Sequence, residues 1–246
     1  MKLIIQIPCY NEEATLPETL ADLPTAIDGI DCIETLVIND GSTDSTLQVA
    51  RDHGVGRIVD MGTNKGLARA WSTGLETALR AGADIIVNTD GDNQYCGADI
   101  PKLVRPILNG EADMIIGARP IEEIGHFSWV KKRLQRFGSW VVSKCAGVSV
   151  EDAASGFRAY SAEAARDLNL LSDYSHCTET LIRAAKRGIK IGNVPINVNN
   201  RLRESRLVAS LPRYLRRQAR DIFRIVIMVH PLKVFGLPAL VLFLIG

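Results

Sequence analysis

Short apolar runs recur along the first half of the chain, and each ends in a polar cluster. Residues 3–7 run into Pro8, and residues 33–38 run into Asn39-Asp40-Gly41. Residues 84–88 end at Thr89-Asp90-Gly91-Asp92, and residues 113–117 form a fourth run. Between them lie helical stretches over 12–23, 44–53, 66–80 and 98–108. Ser42-Thr43-Asp44-Ser45 is a good N-cap cluster, and Gly82 is a helix stop. Strands alternating with helices predict an α/β fold, with a mostly parallel sheet covered on both faces. In such sheets ligands bind beyond the carboxyl ends of the strands. Tyr10-Asn11-Glu12, 39–44 and 90–94 all fall there, so topology alone places a site.

After Arg119 the rhythm loosens. Residues 127–145 read as a helix with Lys131, Lys132, Arg133 and Arg136 near its start. Residues 152–160 read as a polar-apolar link, 162–171 and 179–187 as helices, and 189–198 as strand-like. No internal repeat or low-complexity segment is visible.

The last forty residues differ in kind. Over 211–229, Leu211, Leu215, Ala219, Ile222, Ile225, Val226 and Val229 share one side of a helix, with Arg213, Arg216, Arg217, Arg220 and Arg224 opposite. Two readings are open: a helix packed on the domain with a solvated basic face, or an interfacial helix with its arginines toward anionic head groups. The apolar run over 234–245, after His230-Pro231, favours the membrane. That run is about half the ~20 residues a bilayer span needs. It is expected to be a surface anchor or the start of a transmembrane helix.

Charge sharpens this division. The 246 residues carry a formal net charge of +1. Residues 201–233 hold nine Lys/Arg against two acids, and residues 1–200 hold twenty against twenty-six. An acidic body is joined to a basic tail, of the kind that meets phosphates, nucleic acid or an anionic membrane. Collagen-like, disordered and disulfide-scaffold classes are excluded by composition. The five cysteines are scattered and never in C-x-x-C spacing, which argues against a zinc site and fits a reducing compartment. The first residues lack the length of a signal peptide.

Common nucleotide fingerprints fail. There is no G-x-x-x-x-G-K-[ST], and Gly54-Val55-Gly56 neither opens a helix nor has its third glycine. The acidic loops are not EF-hands, because Tyr95 and Arg51 stand where glycine and glutamate are needed. What remains is Asp90-Gly91-Asp92-Asn93-Gln94 at a strand end. Asp90, Asp92 and Gln94 can point to one side there, with Gly91 letting the backbone approach a ligand. Two carboxylates and an amide oxygen suit Mg²⁺ or Mn²⁺, which keep positions for substrate phosphates. Alone, the same residues are also an ordinary Asp-Gly turn.

They are not alone. Pro8-Cys9-Tyr10-Asn11-Glu12-Glu13, Asn39-Asp40-Gly41-Ser42-Thr43-Asp44 and Asn64-x-Gly66-Leu67 precede them at the spacing of successive strand ends. This combination resembles family 2 glycosyltransferases of the GT-A fold. Asp152-x-x-Ser155-Gly156-Phe157-Arg158-Ala159 and Arg201-x-Arg203-x-Ser205-Arg206 resemble the polyprenyl-phosphate branch, which includes dolichol-phosphate mannose synthases. The resemblance implies a catalytic domain over 1–206, followed by a basic amphipathic, membrane-associated helix over 207–233 and an apolar segment over 234–246.

It also implies roles. Pro8, Tyr10, Asn11 and Glu12 would shape the nucleotide floor, and Asp40 would accept from the base. Asp90, Asp92 and Gln94 would hold the metal, Mg²⁺ or Mn²⁺, against the donor diphosphate, with Asp92 central to catalysis. Arg119 would lie near the acceptor phosphate, with Arg133 as its second. Arg201, Ser205 and Arg206 would close over the diphosphate. The common family form there is R-x-x-G-x-S-K; this chain is one residue shorter, lacks the glycine and ends in arginine. His176 is assigned to capping or packing, and Glu179 resembles a family acid near the acceptor.

The implied reaction is inverting transfer of one sugar from a GDP- or UDP-sugar to a dolichyl or undecaprenyl phosphate, at the cytoplasmic face of the cell membrane. No nucleic-acid partner is expected. A lipid monophosphate is already anionic and attacks without a general base, whereas a sugar hydroxyl needs one. The Q-x-x-R-W motif of processive synthases is absent. A hydroxyl acceptor on a glycan or lipid, and a non-catalytic sugar-nucleotide-binding membrane protein, stand as the rival readings.

Overall fold

Strand β1 (Lys2–Cys9) is buried along nearly its whole length, as a central parallel strand must be. Its neighbours are β2 (Cys32–Asn39) and β4 (Ile85–Asn88), both parallel to it, with β3 (Arg57–Asp60) beyond β2. On the other side β6 (Arg158–Ser161) runs antiparallel between β4 and β5 (Met114–Ala118), and β7 (Ile191–Pro195) lies parallel to β5. The seven strands thus stand in the order β3-β2-β1-β4-β6-β5-β7. This computed structural model describes residues 1–122, 129–168 and 176–200, and a few isolated positions beyond 219.

Alternation along the strands splits the core in two. Leu3, Ile5, Ile7, Val37, Ile85 and Val87 face one side. There they meet helices α1 (Leu16–Ala21) and α4 (Ile100–Leu108). Ile4, Leu36, Ile38 and Ile86 face the other, against α3 (Leu67–Arg80) with its buried Trp71. Helices α6 (Ala162–Asp167) and α7 (His176–Lys186) extend that second layer, and α5 (Trp129–Ala146) packs on α7. Helix α2 (Thr46–Asp52) lies between β2 and β3 in the chain.

The chain fills β1, β2 and β3 on one side and then returns to β4 on the other, so the strand order reverses between β1 and β4. Ligands bind in α/β sheets at such a switch point. Here the two strands also part. Their pairing ends at Gln6↔Asn88, while β1 continues beside β2 to Cys9↔Asn39. Pro8, which has no N–H to donate, sits where the β4 partner has been lost. Beneath the crevice the Gln6 amide donates to Asn88 Oδ1 at 2.9 Å, and the Asn88 amide donates to Gly156 O at 2.8 Å.

Several expected elements need correction. The helix expected over 12–23 is confined to α1, because 12–15 form a hydrogen-bonded turn onto the Glu12 carbonyl. The link expected over 152–160 contains the start of β6, which runs antiparallel to both β4 and β5. Strand β3 carried no expectation at all. Among the described residues no helix is long and apolar enough to cross a membrane. The helix expected over 207–233 and the apolar segment over 234–246 lie outside the described residues, isolated positions aside.

Candidate active site

Five loops converge on the β1/β4 crevice. The first, after β1, turns at Asn11 with φ 55°, a left-handed conformation that asparagine tolerates better than most residues. The turn is fastened to the loop after β2. Asn11 N–H donates to Ser42 Oγ at 2.9 Å, and Thr43 N–H donates to Asn11 Oδ1 at 2.7 Å. Glu12 N–H donates to Thr46 Oγ1 at 2.7 Å. The Thr15 hydroxyl lies 2.7 Å from Glu12 Oε2 and 2.8 Å from Gly91 O, so it ties the first loop to the 90–94 loop. Tyr10 projects outward at 41% exposure.

Asp40 is buried, and its carboxylate gathers a third loop. Oδ1 accepts from Lys65 N–H at 2.7 Å and Oδ2 from Gly66 N–H at 2.9 Å. The neighbouring Gly41 has φ 67°, and a Cβ there would fall 2.3 Å from the Thr63 carbonyl carbon. Only glycine lets the two loops touch.

The 90–94 loop carries the acids. Gly91 is pressed against Cys9, where a Cβ would lie 2.9 Å from Sγ. A Cβ on Gly156 would meet the Asp90 oxygens at 3.4 and 3.6 Å, so the Asp90 carboxylate faces the start of the 156–157 segment. Asn93, at φ 54°, turns the loop so that Gln94 Nε2 donates to Asp92 Oδ2 at 2.8 Å. Burial pushes the Cys9 thiol well up, and the negative charges of Glu12, Asp90, Asp44 and Asp92 push it further. The crevice therefore concentrates negative charge. Burial also raises Asp44, but hydrogen bonds from the Thr46 hydroxyl and from the Thr46 and Glu13 N–H groups outweigh it and hold this carboxyl below its ordinary value.

Such a field suits a divalent cation. Asp90 and Asp92 supply two hard oxygen donors on one short loop, with Gln94 beside them. Among the described residues no group of three or more His, Cys, Asp or Glu side chains gathers as an ion site. The donor set fits Mg²⁺ or Mn²⁺ shared with a ligand's phosphates better than a closed protein cage.

Arg119, just past β5, brings the opposite charge. Its guanidinium makes a forked pair with Asp152: Nε to Oδ2 at 2.6 Å and Nη2 to Oδ1 at 3.0 Å. The side chains are 13% and 1% exposed. Burial works against the Arg119 charge, but the paired Asp152 carboxylate outweighs it and the guanidinium stays ionised. Burial keeps the Tyr95 phenol neutral. Its oxygen accepts from Gly156 N–H at 3.0 Å, and its ring stacks on Phe157.

Arg158 is wholly buried and builds rather than binds. Nε donates to Ser155 O at 2.8 Å and Nη2 to Ala153 O at 3.0 Å. Nη1 reaches Cys177 O and Thr180 Oγ1 at 2.7 and 2.8 Å. The loop that presents Asp152 is thereby pinned to α7. Ser139 and Ser143 of α5 complete the frame, their hydroxyls accepting from Ala153 and Val150 N–H at 3.0 and 2.9 Å.

The structure thus brings together Pro8, Tyr10, Asn11, Glu12, Asp40, Asp90, Asp92 and Gln94, with Arg119 at the same strand edge. Arg133 lies on the exposed face of α5, its guanidinium 5.0 Å from the Trp129 ring centroid. Glu179 is buried and pairs with Arg183 at 3.3 Å. Arg201, Ser205 and Arg206 lie outside the described residues, as does the His176 side chain. Sequence reasoning gave no role to Tyr95, Asp152 or Arg158. The last two stand in the quoted D-x-x-S-G-F-R-A stretch, but their partners are distant in the chain.

Comparison with known proteins agrees with this geometry. Residues 4–168 match the sequence model described as glycosyl transferase family 2. The chain is 31% identical over 215 residues to the UDP-N-acetylglucosamine–dolichyl-phosphate N-acetylglucosaminyltransferase of Methanococcus voltae, covering 77% of this chain and 82% of that one. It is 30% identical over 219 residues to the undecaprenyl-phosphate mannosyltransferase of Micrococcus luteus, covering 84% and 88%. Among solved structures, glucosyl-3-phosphoglycerate synthase of Mycobacterium tuberculosis, in complex with Mn²⁺, UDP and glucosyl-3-phosphoglycerate, superposes with a TM-score of 0.71. It covers 92% of this chain and 79% of that one at 22% identity, a likeness of fold. The acidic crevice, the strand order and the match over 4–168 together make this chain a member of glycosyl transferase family 2, resembling the polyprenyl-phosphate sugar synthases.

Proposed function

We propose that the protein transfers one sugar from a nucleotide sugar to a polyprenyl phosphate at a membrane surface, inverting the anomeric centre. The observation that carries this reading is the pairing of opposite charges at one strand edge: an acidic 90–94 loop at the switch point and a buried, ionised Arg119 held by Asp152. The names of the curated relatives support the acceptor class.

In this reading Pro8, Tyr10, Asn11 and Glu12 floor the nucleotide, and Asp40, fixed by the Lys65 and Gly66 N–H groups, accepts from its base. Asp90 and Asp92, with Gln94, would hold Mg²⁺ or Mn²⁺, which neutralises charge on the donor diphosphate when bound. Arg119, with Arg133 beside the approach, aligns the acceptor phosphate. One of its oxygens forms a bond to the anomeric carbon from the face opposite the leaving group. The bond from that carbon to the diphosphate oxygen breaks, and the electron pair departs with the nucleoside diphosphate. The acceptor oxygen is already anionic, so no protein base removes a proton. Arg201, Ser205 and Arg206 close over the diphosphate.

The outer face of α5 supports the membrane location. Trp129, Phe137 and Trp140 are 69%, 52% and 56% exposed, with Lys132, Arg133 and Arg136 among them around an open groove. Aromatic rings beside cations are the composition of an interfacial surface. Phe137 and Trp140 stack on one another there, with ring centroids 5.8 Å apart.

The test is a donor screen. UDP- and GDP-sugars carrying a labelled hexose are incubated with a short-chain polyprenyl phosphate and Mg²⁺ or Mn²⁺, and label is followed into the lipid phase. One donor is expected to give a lipid-phosphate sugar and free nucleoside diphosphate in equal amounts. Nucleotide binding with no transfer to any acceptor would instead identify a binding protein.

A further inference from the structure

The two flanks of the acidic loop converge on one residue. Asn88, at the end of β4, donates its side-chain amide to Gly156 O at 2.8 Å. Tyr95, which follows Gln94, accepts from Gly156 N–H through its hydroxyl at 3.0 Å. Both polar groups of the Gly156 backbone are thus engaged, one by each flank of the loop. A Cβ on Gly156 would lie 3.4 Å from Asp90 Oδ1 and 3.8 Å from the Tyr95 hydroxyl, so acid and phenol crowd the same residue. The Tyr95 ring is buried and stacks on Phe157 with centroids 5.0 Å apart. Its main chain bridges Val198, and its hydroxyl supplies the tie to Gly156.

The same stretch of chain carries the opposite charge. Asp152 holds the Arg119 guanidinium, and Ser155 N–H donates to Asp152 O at 3.2 Å. Arg158 stiffens the stretch by donating to the Ala153 and Ser155 carbonyls. Phe157 O accepts from Gly117 N–H at 2.9 Å, two residues before Arg119. Residues 152–157 therefore form a bracket, with Arg119 fastened at one end and the acidic loop at the other.

We propose that Tyr95 is a positioning residue whose hydroxyl, through Gly156, fixes the 90–94 loop at one spacing from the Arg119–Asp152 pair. The bracket follows from these contacts. What is aligned across it, a donor diphosphate and an acceptor phosphate, rests on the reading above. An in-line displacement is sensitive to misplacement on the scale of an ångström, so a loosened bracket slows turnover more than it weakens binding.

Hydrogen exchange reports the bracket without any assay of activity. In the full chain, Tyr95→Phe keeps the ring and its stack but leaves Gly156 N–H without its acceptor. Exchange over 90–95 and over 152–157 should quicken at least about fivefold, with β1 unchanged. Kinetics report the alignment. With a short-chain polyprenyl phosphate, Tyr95→Phe should lower kcat about tenfold and change the KM of donor and acceptor less than about twofold. Added to Arg119→Lys, which breaks the fork at the other end, Tyr95→Phe should lower kcat less than about threefold further. A smaller folded fraction would lower kcat equally in both backgrounds.

Unchanged exchange in Tyr95→Phe overturns the bracket, because the ring alone would then hold the loop. Faster exchange with unchanged kcat overturns the alignment. A rise in KM without loss of kcat, or a full tenfold loss of kcat on top of Arg119→Lys, overturns it too. If the unaltered protein transfers sugar to no phosphate acceptor, the functional reading and the alignment fall together, and the exchange rates still decide the bracket.

Discussion

Asp92 and Arg119 sit on neighbouring loops with opposite charge, and each gives a residue-scale prediction. Asp92 accepts a bond from Gln94 and shares its loop with Asp90, Glu12 and Asp44 nearby. Asp92→Asn keeps the shape and removes one charge from the proposed hard-cation site. Turnover should fall on the order of a hundredfold or more, and Mn²⁺ affinity with it, while the melting temperature stays within about 2 °C. Unchanged turnover at limiting Mn²⁺ would remove Asp92 from the metal site. Arg119 meets Asp152 through a planar fork that an ammonium cannot reproduce. Arg119→Lys should therefore raise the KM for the lipid phosphate about tenfold or more and leave donor binding nearly unchanged. Equal losses for donor and acceptor would move Arg119 to the donor side. Asp90, Asp92 and Gln94 were legible in the sequence because they are three residues of one short loop. Asp152, Tyr95 and Arg158 were not, since their meaning lies in partners dozens of positions away: Arg119, Gly156 and Thr180.

At the scale of elements, the parallel half of the sheet could be read from its apolar runs and the polar clusters that end them. Strand β6 could not. It is four residues long and opens on a buried arginine, so burial contradicts the polarity of its first residue. Strand β3 is equally short and only half-buried, without the apolar run that marks β1 or β4. What holds the site is the fit between the end of β1 and the loop after β4, and one glycine controls it. Gly91→Ala would bring a methyl to 2.9 Å from Cys9 Sγ, forcing the 90–94 loop outward. Activity should fall roughly tenfold or more at a modest loss of stability, because overpacking displaces the acids before it unfolds the sheet. Adding Cys9→Ala removes the obstructing sulfur, so the double variant should recover most of the activity. A double variant no better than Gly91→Ala would show that the loop is limited by backbone conformation instead.

For the whole molecule, the division between an acidic body and a basic tail is a property of the sequence that the described fold meets only at its border. The outer face of α5 supplies exposed aromatics and cations on the folded domain, and the sequence places five further arginines within 211–229. If both meet one membrane, binding is electrostatic in part, each basic residue adding on the order of 1 kcal/mol at low salt. Replacing Arg213, Arg217, Arg220 and Arg224 with Gln should weaken binding to anionic vesicles and flatten its salt dependence. Turnover on a water-soluble short-chain acceptor should be preserved. Undiminished vesicle binding with unchanged salt dependence would assign the stripe to packing or solvent.

The central claim is that the acceptor nucleophile is a phosphate oxygen, aligned by Arg119 and needing no protein base. It is tested most directly by offering one donor two acceptors of identical chain length, a polyprenyl phosphate and the corresponding free polyprenol, and comparing initial rates. The account predicts transfer to the phosphate and, with the alcohol, a rate at least about a thousandfold lower, since nothing in the proposed chemistry activates a hydroxyl. Comparable rates on the two acceptors, or transfer to the alcohol alone, would contradict it.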